Sequence, residues 1–284
     1  MRKYKEIIMQ NIFLLAALAT IVALLLICFF LFANGLPAIM GIGFKGFLLN
    51  TDWSPNDIPP SYGIFPMIIG SISITLGAII VGVPIGILSA VFMAFYCPKG
   101  LYRILKPGTE LLAGIPSVVY GFFGLAVLVP LVRNTFGGNG NSILTASILL
   151  GIMILPTIIA VSESSIRAVP NQYYEGALAL GATHERAIFK TILPAAKSGV
   201  LASVVLGIGR AIGETMAVIM VAGNQARIPG SILKGIRTLT ANIVLEMGYA
   251  VDMHRAALIA TGMVLFLFIL LINIAFHLLK RRSF

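Results

Sequence analysis

Two residues of opposite charge stand four positions apart in the fifth long apolar segment of the sequence. Only small or apolar residues separate Arg210 from Glu214. A charge at the centre of a bilayer costs about 2.5–3.5 kcal/mol on insertion scales, so two in one segment indicate a role in binding or in helix packing. Residues four apart share one face of a continuous helix, and we therefore expect an ion pair. Gly209 and Gly213 are expected to let another helix pack closely here.

The side chains around this pair suit an oxyanion. A guanidinium group presents a planar fork of donors that matches tetrahedral oxyanions. We expect Arg210 to line a water-filled path and to meet an anion there, with Glu214 holding Arg210 when the path is empty. Ser117 and Tyr120, beside Pro116 in the third apolar segment, would either bind the same anion or satisfy backbone groups freed by the proline. A purely structural salt bridge between helices is the alternative.

Motifs for covalent catalysis are missing from the sequence. No G-x-x-x-x-G-K-[ST] phosphate loop is present, so ATP hydrolysis by that route is excluded. The three histidines form no H-E-x-x-H site, and the two cysteines, Cys28 and Cys97, show no metal or disulfide spacing. We therefore predict that the chain is not an enzyme, and that it binds no metal and no cofactor of its own.

The composition is that of a membrane protein. The 284 residues are 58% hydrophobic and 11% charged, whereas an ordinary soluble domain is roughly a quarter charged. A membrane-spanning helix needs about 20 apolar residues. Six segments meet this requirement and predict an all-α integral membrane protein with six transmembrane helices. They run approximately over residues 11–32, 66–95, 111–132, 143–162, 199–222 and 256–279.

The basic residues between these segments predict the orientation. With the N-terminus in the cytoplasm, thirteen of the 20 lysines and arginines lie on the cytoplasmic side and six on the other. Positive residues favour the cytoplasmic side, so both termini are expected there. This placement in short loops also argues against nucleic acid as the reason for the net charge of +10. The outer segments, about 33–65 and 223–254, are expected to be loops, and we assign no chemistry to the proline-rich stretch that begins at Trp53.

The inner segment 163–197 is too polar to span the membrane and too patterned for a slack linker. Asn171 is a plausible N-cap of a short helix, which Gly181 can end in a left-handed conformation. Thr183 can cap a second short helix, which must stop or turn near Pro194. We expect a helix–turn–helix on the cytoplasmic face, although an amphipathic interfacial loop explains the spacing equally well.

This segment resembles the EAA loop of ATP-binding-cassette (ABC) importer permeases. The family pattern is E-A-A, three residues, glycine, nine residues and I-x-L-P. The sequence departs from it at Gly176, in place of the middle alanine, and at Thr191, in place of isoleucine. The resemblance implies the type I importer permease (MetI-like) fold and a coupling segment that seats in a separate ATPase, which would use ATP and magnesium. The implied coupling residues are Glu175, Gly176, Ala177, Gly181, Ala182, Thr183, Leu193 and Pro194.

A narrower resemblance covers about residues 110–224. The runs IPSVVYGFFGL at 115–125 and GRAIGETMAVIMVAGN at 209–224 resemble the PstC family of phosphate-importer permeases. The sister family PstA usually has G-E-T-A-P in its fifth span, so Met216 after Thr215 favours PstC. The resemblance implies phosphate import by alternating access. The implied substrate path consists of Arg210, Glu214, Thr215, Ser117 and Tyr120.

The same resemblance implies an assembly in a bacterial or archaeal plasma membrane. Its members would be a PstA-like permease forming a heterodimer with this chain, two copies of a PstB-like ATPase and an extracytoplasmic PstS-like phosphate-binding protein. We expect residues 1–63 to form an N-terminal helix and outer loop, and residues 64–284 to form the permease domain. Two alternatives remain: a permease of this architecture for another oxyanion, such as molybdate or sulfate, or an ATP-independent secondary anion carrier.

Overall fold

The computed structural model describes residues 2–281, without the side chains of residues 2–4, 277 and 279–281. A single two-stranded hairpin accompanies the helices of this part of the chain, and three π-helical turns, at Phe92–Tyr96, Gly124–Leu128 and Ile188–Ile192, extend or join helices. The elements are α1 (Arg2–Ile42), α2 (Phe44–Leu48), β1 (Trp53–Ser54), β2 (Ser61–Tyr62), α3 (Phe65–Val91), α4 (Lys99–Gly114), α5 (Ser117–Phe123), α6 (Val129–Phe136), α7 (Ile143–Arg167), α8 (Asn171–Ala179), α9 (His184–Ala187), α10 (Leu193–Ala195), α11 (Lys197–Gly213), α12 (Met216–Val221), α13 (Leu239–Glu246) and α14 (Asp252–Arg281).

The membrane spans agree with the predicted all-α fold. Within the described residues, five helical stretches are long and apolar enough to cross a bilayer. A sixth span results if α11 is counted together with the helical stretch before it, from which it bends by 70°. The five are Lys5–Ile42, Phe65–Tyr96, Ser117–Phe136, Ile143–Arg167 and Asp252–Phe276.

Two predicted spans have different boundaries in the structure. The third was expected to begin at Leu111, but that residue belongs to α4, a separate helix without buried side chains. The chain leaves the helix at Ile115, because the following Pro116 disfavours helical geometry in the residue before it. The fifth predicted span is also interrupted: α11 ends at Gly213, and Glu214 adopts an extended conformation with φ −69° and ψ 133°.

Helix α7 forms the centre of the molecule and packs against α3, α4 and α11. The approach of α3 to α7 is so close that a Cβ atom on Gly82 would lie 2.7 Å from the carbonyl oxygen of Gly151. By contrast, α1 packs against α14 and leaves large side chains such as Phe13 and Phe29 largely exposed. Exposed apolar side chains of this kind are expected where a helix faces lipid.

The outer segments contain more regular structure than the sequence predicted. Helix α1 continues to Ile42, the stretch after it forms the hairpin β1–β2, and α13 lies within the second segment. Trp53, to which no role was assigned, is buried and donates its indole N–H to Glu246 Oε2 at 2.9 Å. Glu246 also pairs with Arg237 at 2.5 Å and with His254 at 2.9 Å. One carboxylate therefore joins the hairpin to the second outer segment and to α14.

The cytoplasmic placement of both termini and the boundary between residues 63 and 64 remain predictions. Among the basic residues counted for the orientation, Arg282 and the side chains of Arg2, Lys3, Lys280 and Arg281 lie outside the described part of the chain.

Candidate functional site

The break in the fifth span is stabilised by Glu214. Its Oε1 atom accepts hydrogen bonds from the backbone N–H groups of Thr215 at 3.0 Å and Ala217 at 3.2 Å. Its own carbonyl oxygen accepts the hydroxyl of Thr240 at 3.0 Å, and Thr215 Oγ1 donates to the carbonyl of Gly213 at 3.2 Å. These bonds satisfy backbone groups that the interruption of the helix leaves without helical partners, as a break at membrane depth requires.

Arg210 lies one turn before the break and is half-buried. Its Nη1 atom donates a long hydrogen bond of 3.4 Å to Thr157 Oγ1 on α7. The expected ion pair with Glu214 is wrong for this structure: no salt bridge joins these two described residues. The physical reason is that the helix ends at Gly213, so positions 210 and 214 do not share a helical face.

No described helix of this chain packs closely on the two glycines beside Arg210, so the close helix packing expected there stays a prediction. A Cβ atom added to Gly209 or Gly213 would meet no described atom within 4 Å. Leu206, on the same side of α11, is 54% exposed. This face of α11 is therefore left uncovered by the chain itself.

The two hydroxyl residues of the third span differ in their surroundings. Tyr120 is buried and donates to the carbonyl oxygen of Leu112 at 2.9 Å, so it ties α5 back to α4 across the turn at Pro116. Tyr120 also belongs to the same buried apolar cluster as Ala211, the residue after Arg210. The Ser117 hydroxyl is half-buried and has no hydrogen bond among the described residues. Of the pair, Tyr120 is the residue that the structure associates with Arg210.

The inner segment forms the predicted helix–turn–helix. Helix α8 is followed by Gly181 in the left-handed region, with φ +84°, and Thr183 Oγ1 accepts the N–H of Arg186 at 3.3 Å as the cap of α9. The cap predicted at Asn171 is wrong, because Pro170 precedes the first helical residue and Asn171 begins the helix without capping it.

The bend exposes apolar side chains toward solvent. Leu180 is 91% and Tyr173 54% exposed, and Glu175 and Gly176 are exposed beside them. A cavity of about 600 Å³ lies next to the bend and is lined in part by Gly181, Ala177 and Ala182. Leu193 is half-buried, and Pro194 is exposed in α10, just before the 70° bend into α11. Exposed apolar residues around a cavity are typical of a protein-binding surface.

Residues 82–284 match the family model described as "Binding-protein-dependent transport system inner membrane component". The chain belongs to this family. It is thus an inner-membrane component of a transport system, and its family consists of transport subunits. The permease resembles the probable ABC transporter permease protein YqgH of Bacillus subtilis (strain 168), with 40% identity over 99% of this chain and 93% of the relative.

A second relative confirms the resemblance to PstC phosphate permeases. The phosphate transport system permease protein PstC of Mesorhizobium japonicum is 34% identical to the permease over 94% of this chain and 87% of that protein.

Solved structures confirm the ABC-importer permease fold. A bacterial alginate ABC transporter in complex with a pentasaccharide-bound periplasmic protein has a chain that superposes with a TM-score of 0.66, 17% identity and coverage of 99% of this chain and 98% of that one. The inward-facing MetNI methionine ABC transporter gives a TM-score of 0.57, 19% identity and coverage of 78% and 94%. At these identities the similarity concerns the fold alone.

The permease also contains a buried carboxylate that no sequence motif marks. Glu163 of α7 is 1% exposed and accepts three donors: Tyr102 Oη at 2.7 Å, Arg167 Nε at 2.8 Å and Lys106 Nζ at 2.9 Å. The hydrogen bond to Glu163 raises the pKa of Tyr102 and that of Lys106 above their ordinary values. Because Tyr102 and Lys106 belong to α4, this carboxylate fastens α4 to the inner end of α7. The spacing of Glu163 and Arg167 was the only local signal for it.

Proposed function

We propose that the chain is the PstC-type permease subunit of an ABC importer that moves inorganic phosphate into the cytoplasm by alternating access. The observation that carries the proposal is the environment of Arg210. Its partner is the neutral hydroxyl of Thr157 and not a carboxylate, so the guanidinium retains its capacity to bind an anion. The phosphate permeases among the relatives support phosphate as that anion.

A second permease subunit completes the path. The side of α11 that carries Gly209, Gly213 and Leu206 is uncovered in this chain, and it lies beside Arg210. Small residues on a membrane helix favour close contact with another helix. A PstA-like subunit packed on this face closes the path, so that the anion passes between two chains with membrane lipid outside them.

The remaining partners bind at the two membrane faces of the permease. Two copies of a PstB-like ATPase, which hydrolyse ATP with magnesium, engage the exposed bend around Leu180 and Gly181 and its counterpart on the second permease. A PstS-like protein delivers phosphate to the outer segments. ATP-driven closure of the ATPases moves the bend and opens the path past Arg210. The permease supplies no covalent chemistry, and Glu214 holds the helix break in shape instead of holding Arg210.

Another oxyanion is the second candidate, since a guanidinium binds sulfate and molybdate by the same fork of donors. An ATP-independent carrier is disfavoured because it gives no reason for the exposed apolar bend.

Uptake by the assembled complex in proteoliposomes tests the function. Arg210→Lys keeps the charge but loses the fork, and we expect phosphate uptake per assembled complex to fall by about ten- to a hundredfold, the value of one charged hydrogen bond. Arg210→Gln should do at least as much damage. Arg133→Gln, which removes an exposed outer arginine, is the matched control and should transport normally.

Wild-type uptake by the Arg210→Gln complex contradicts the anion path. Import of sulfate or molybdate by the wild-type complex, without import of phosphate, selects the other-oxyanion permease instead.

A further inference from the structure

The inner end of α7 is connected to a π-helical turn by Arg167. Besides its bond to Glu163, Arg167 donates from Nη2 to the carbonyl oxygen of Met93 at 2.6 Å. Its guanidinium also lies 4.8 Å from the centre of the Tyr102 ring on α4. Three elements therefore meet at the Glu163–Arg167 pair: α7 itself, the turn Phe92–Tyr96 and α4.

The exposed bend is joined to the same turn by aromatic rings. Tyr174 of α8 lies 5.7 Å from Phe95, and His184 of α9 lies 4.9 Å from Tyr96, measured between ring centres. Tyr174 and His184 are themselves hydrogen-bonded, Oη to Nδ1, at 2.5 Å. These rings therefore attach α8, which has no buried residue, to the turn Phe92–Tyr96.

The far end of α4 reaches the anion path. The carbonyl oxygen of Leu112, in the last turn of α4, accepts the Tyr120 hydroxyl at 2.9 Å, and Tyr120 packs in the same buried cluster as Ala211, the residue after Arg210. A displacement of α4 along its axis or about it consequently changes the position of Tyr120 relative to Arg210.

Glu163 and its three hydrogen-bond donors, which we call the Glu163 cluster, determine whether α4 moves together with α7. The donors are Tyr102, Lys106 and Arg167. None of the side chains of α4 is buried, so the helix is not held by an apolar core of its own. Its side-chain bonds to α7 end on a carboxylate that is 1% exposed, and separating such a group from its cationic partners is strongly unfavourable. The junction is therefore stiff, and movement of α7 is transmitted instead of being absorbed.

We propose that Glu163 is a positioning residue for transport: by making α4 follow the inner end of α7, it relays displacement of the exposed bend to Tyr120 and Arg210. The role rests on the proposed function in so far as Arg210 lines the path, but the relay does not depend on which oxyanion is carried.

The test uses the full complex with its ATPase and binding protein in proteoliposomes. The readout is the number of oxyanions imported per ATP hydrolysed, for whichever oxyanion the wild-type complex imports. Glu163→Gln removes the charge at the centre of the cluster. The double variant Tyr102→Phe/Lys106→Gln removes only the two bonds from α4 to Glu163 and leaves Glu163 paired with Arg167. It therefore still tests the proposal if the Glu163→Gln complex fails to assemble. Arg103→Gln, which replaces an exposed cation of α4 that forms no salt bridge among the described residues, is the matched control.

We expect the double variant to assemble and to hydrolyse ATP, while the import-to-ATP ratio falls by about three- to tenfold. The Arg103→Gln complex should keep the wild-type ratio. A wild-type ratio in the double variant overturns the relay, as does an equal fall in ATP hydrolysis and import, which indicates a merely structural role. If the wild-type complex imports sulfate and no phosphate, the proposed cargo fails, and the ratio measured with sulfate still decides the relay.

Discussion

Substitution of Gly181 tests whether the bend receives force from the ATPase. At this position the cost of the left-handed backbone can be distinguished from the cost of side-chain contacts. With φ +84°, it occupies a region that costs other L-residues about 1–2 kcal/mol. A Cβ atom at this position would meet no described atom of other residues within 4 Å, so the expected cost comes from the local backbone alone. Gly181→Ala should therefore shift the bend away from its native geometry by a factor of about 5–30. Gly181→Val, which is β-branched, should cost more.

Two control variants isolate the cost of the left-handed backbone conformation at position 181. Gly181→Asn should retain more transport than Gly181→Ala, because asparagine tolerates the left-handed region better than other non-glycine residues. Gly100→Ala adds the same methyl group to an equally open position in the first turn of α4, away from the bend, and should leave transport intact, since alanine favours the helix.

The assay is the binding-protein-stimulated ATPase activity and uptake of the reconstituted complex, together with the amount of ATPase that co-purifies with the permease. Loss of both uptake and co-purification in Gly181→Val, with the permease still inserted, is the expected result. Uptake at the wild-type rate in Gly181→Val would refute the reasoning, because the strained bend could then not be the surface that receives force.

The remaining predictions concern charged residues and orientation. The effects of Arg210→Gln and Glu214→Gln on the logarithm of the uptake rate should add, within the equivalent of about 0.5 kcal/mol, because the two side chains share no partner among the described residues. A larger interaction energy in the double variant would show that they pair. In a cysteine-free background, Gln172→Cys and Ser231→Cys should be labelled from opposite sides of sealed vesicles, and labelling of both from one side would reject the predicted orientation. Glu246→Gln should destabilise the permease by up to about 3 kcal/mol, because the half-buried Arg237 loses its ion pair with a buried carboxylate; an unchanged thermal melt would contradict this.

The features that the sequence predicted correctly depend on short spacings. The apolar segments, the left-handed glycine at position 181 and the cap at Thr183 each follow from a few neighbouring residues. The exposed bend was recognisable for the same reason, since its pattern lies within a single inner segment.

The features that were missed or wrong depend on distant contacts or on the exact end of a helix. Lys106 and Glu163 are 57 positions apart, and Trp53 and Glu246 are 193 apart, so neither pair leaves a local pattern. The partner of Arg210, Thr157, is 53 positions away. The expected pairing with Glu214 assumed a continuous helix, and the break after Gly213 invalidates the spacing rule on which it depended.

The distribution of the carboxylates supports the proposed role of Arg210 in the passage of an anion. The chain has 10 acidic residues against 20 basic ones, and the buried Glu163 and Glu246 each bind two cationic or titratable partners. The half-buried carboxylate of Glu214 accepts hydrogen bonds from backbone N–H groups at the helix break. Arg210 is thus left with a long hydrogen bond to a hydroxyl, which an arriving oxyanion can replace without first breaking an ion pair. For the same reason, a carboxylate introduced in place of Thr157 should compete with the cargo: Thr157→Glu is expected to assemble and to lose uptake, and wild-type uptake in that complex would show that the anion does not pass Arg210.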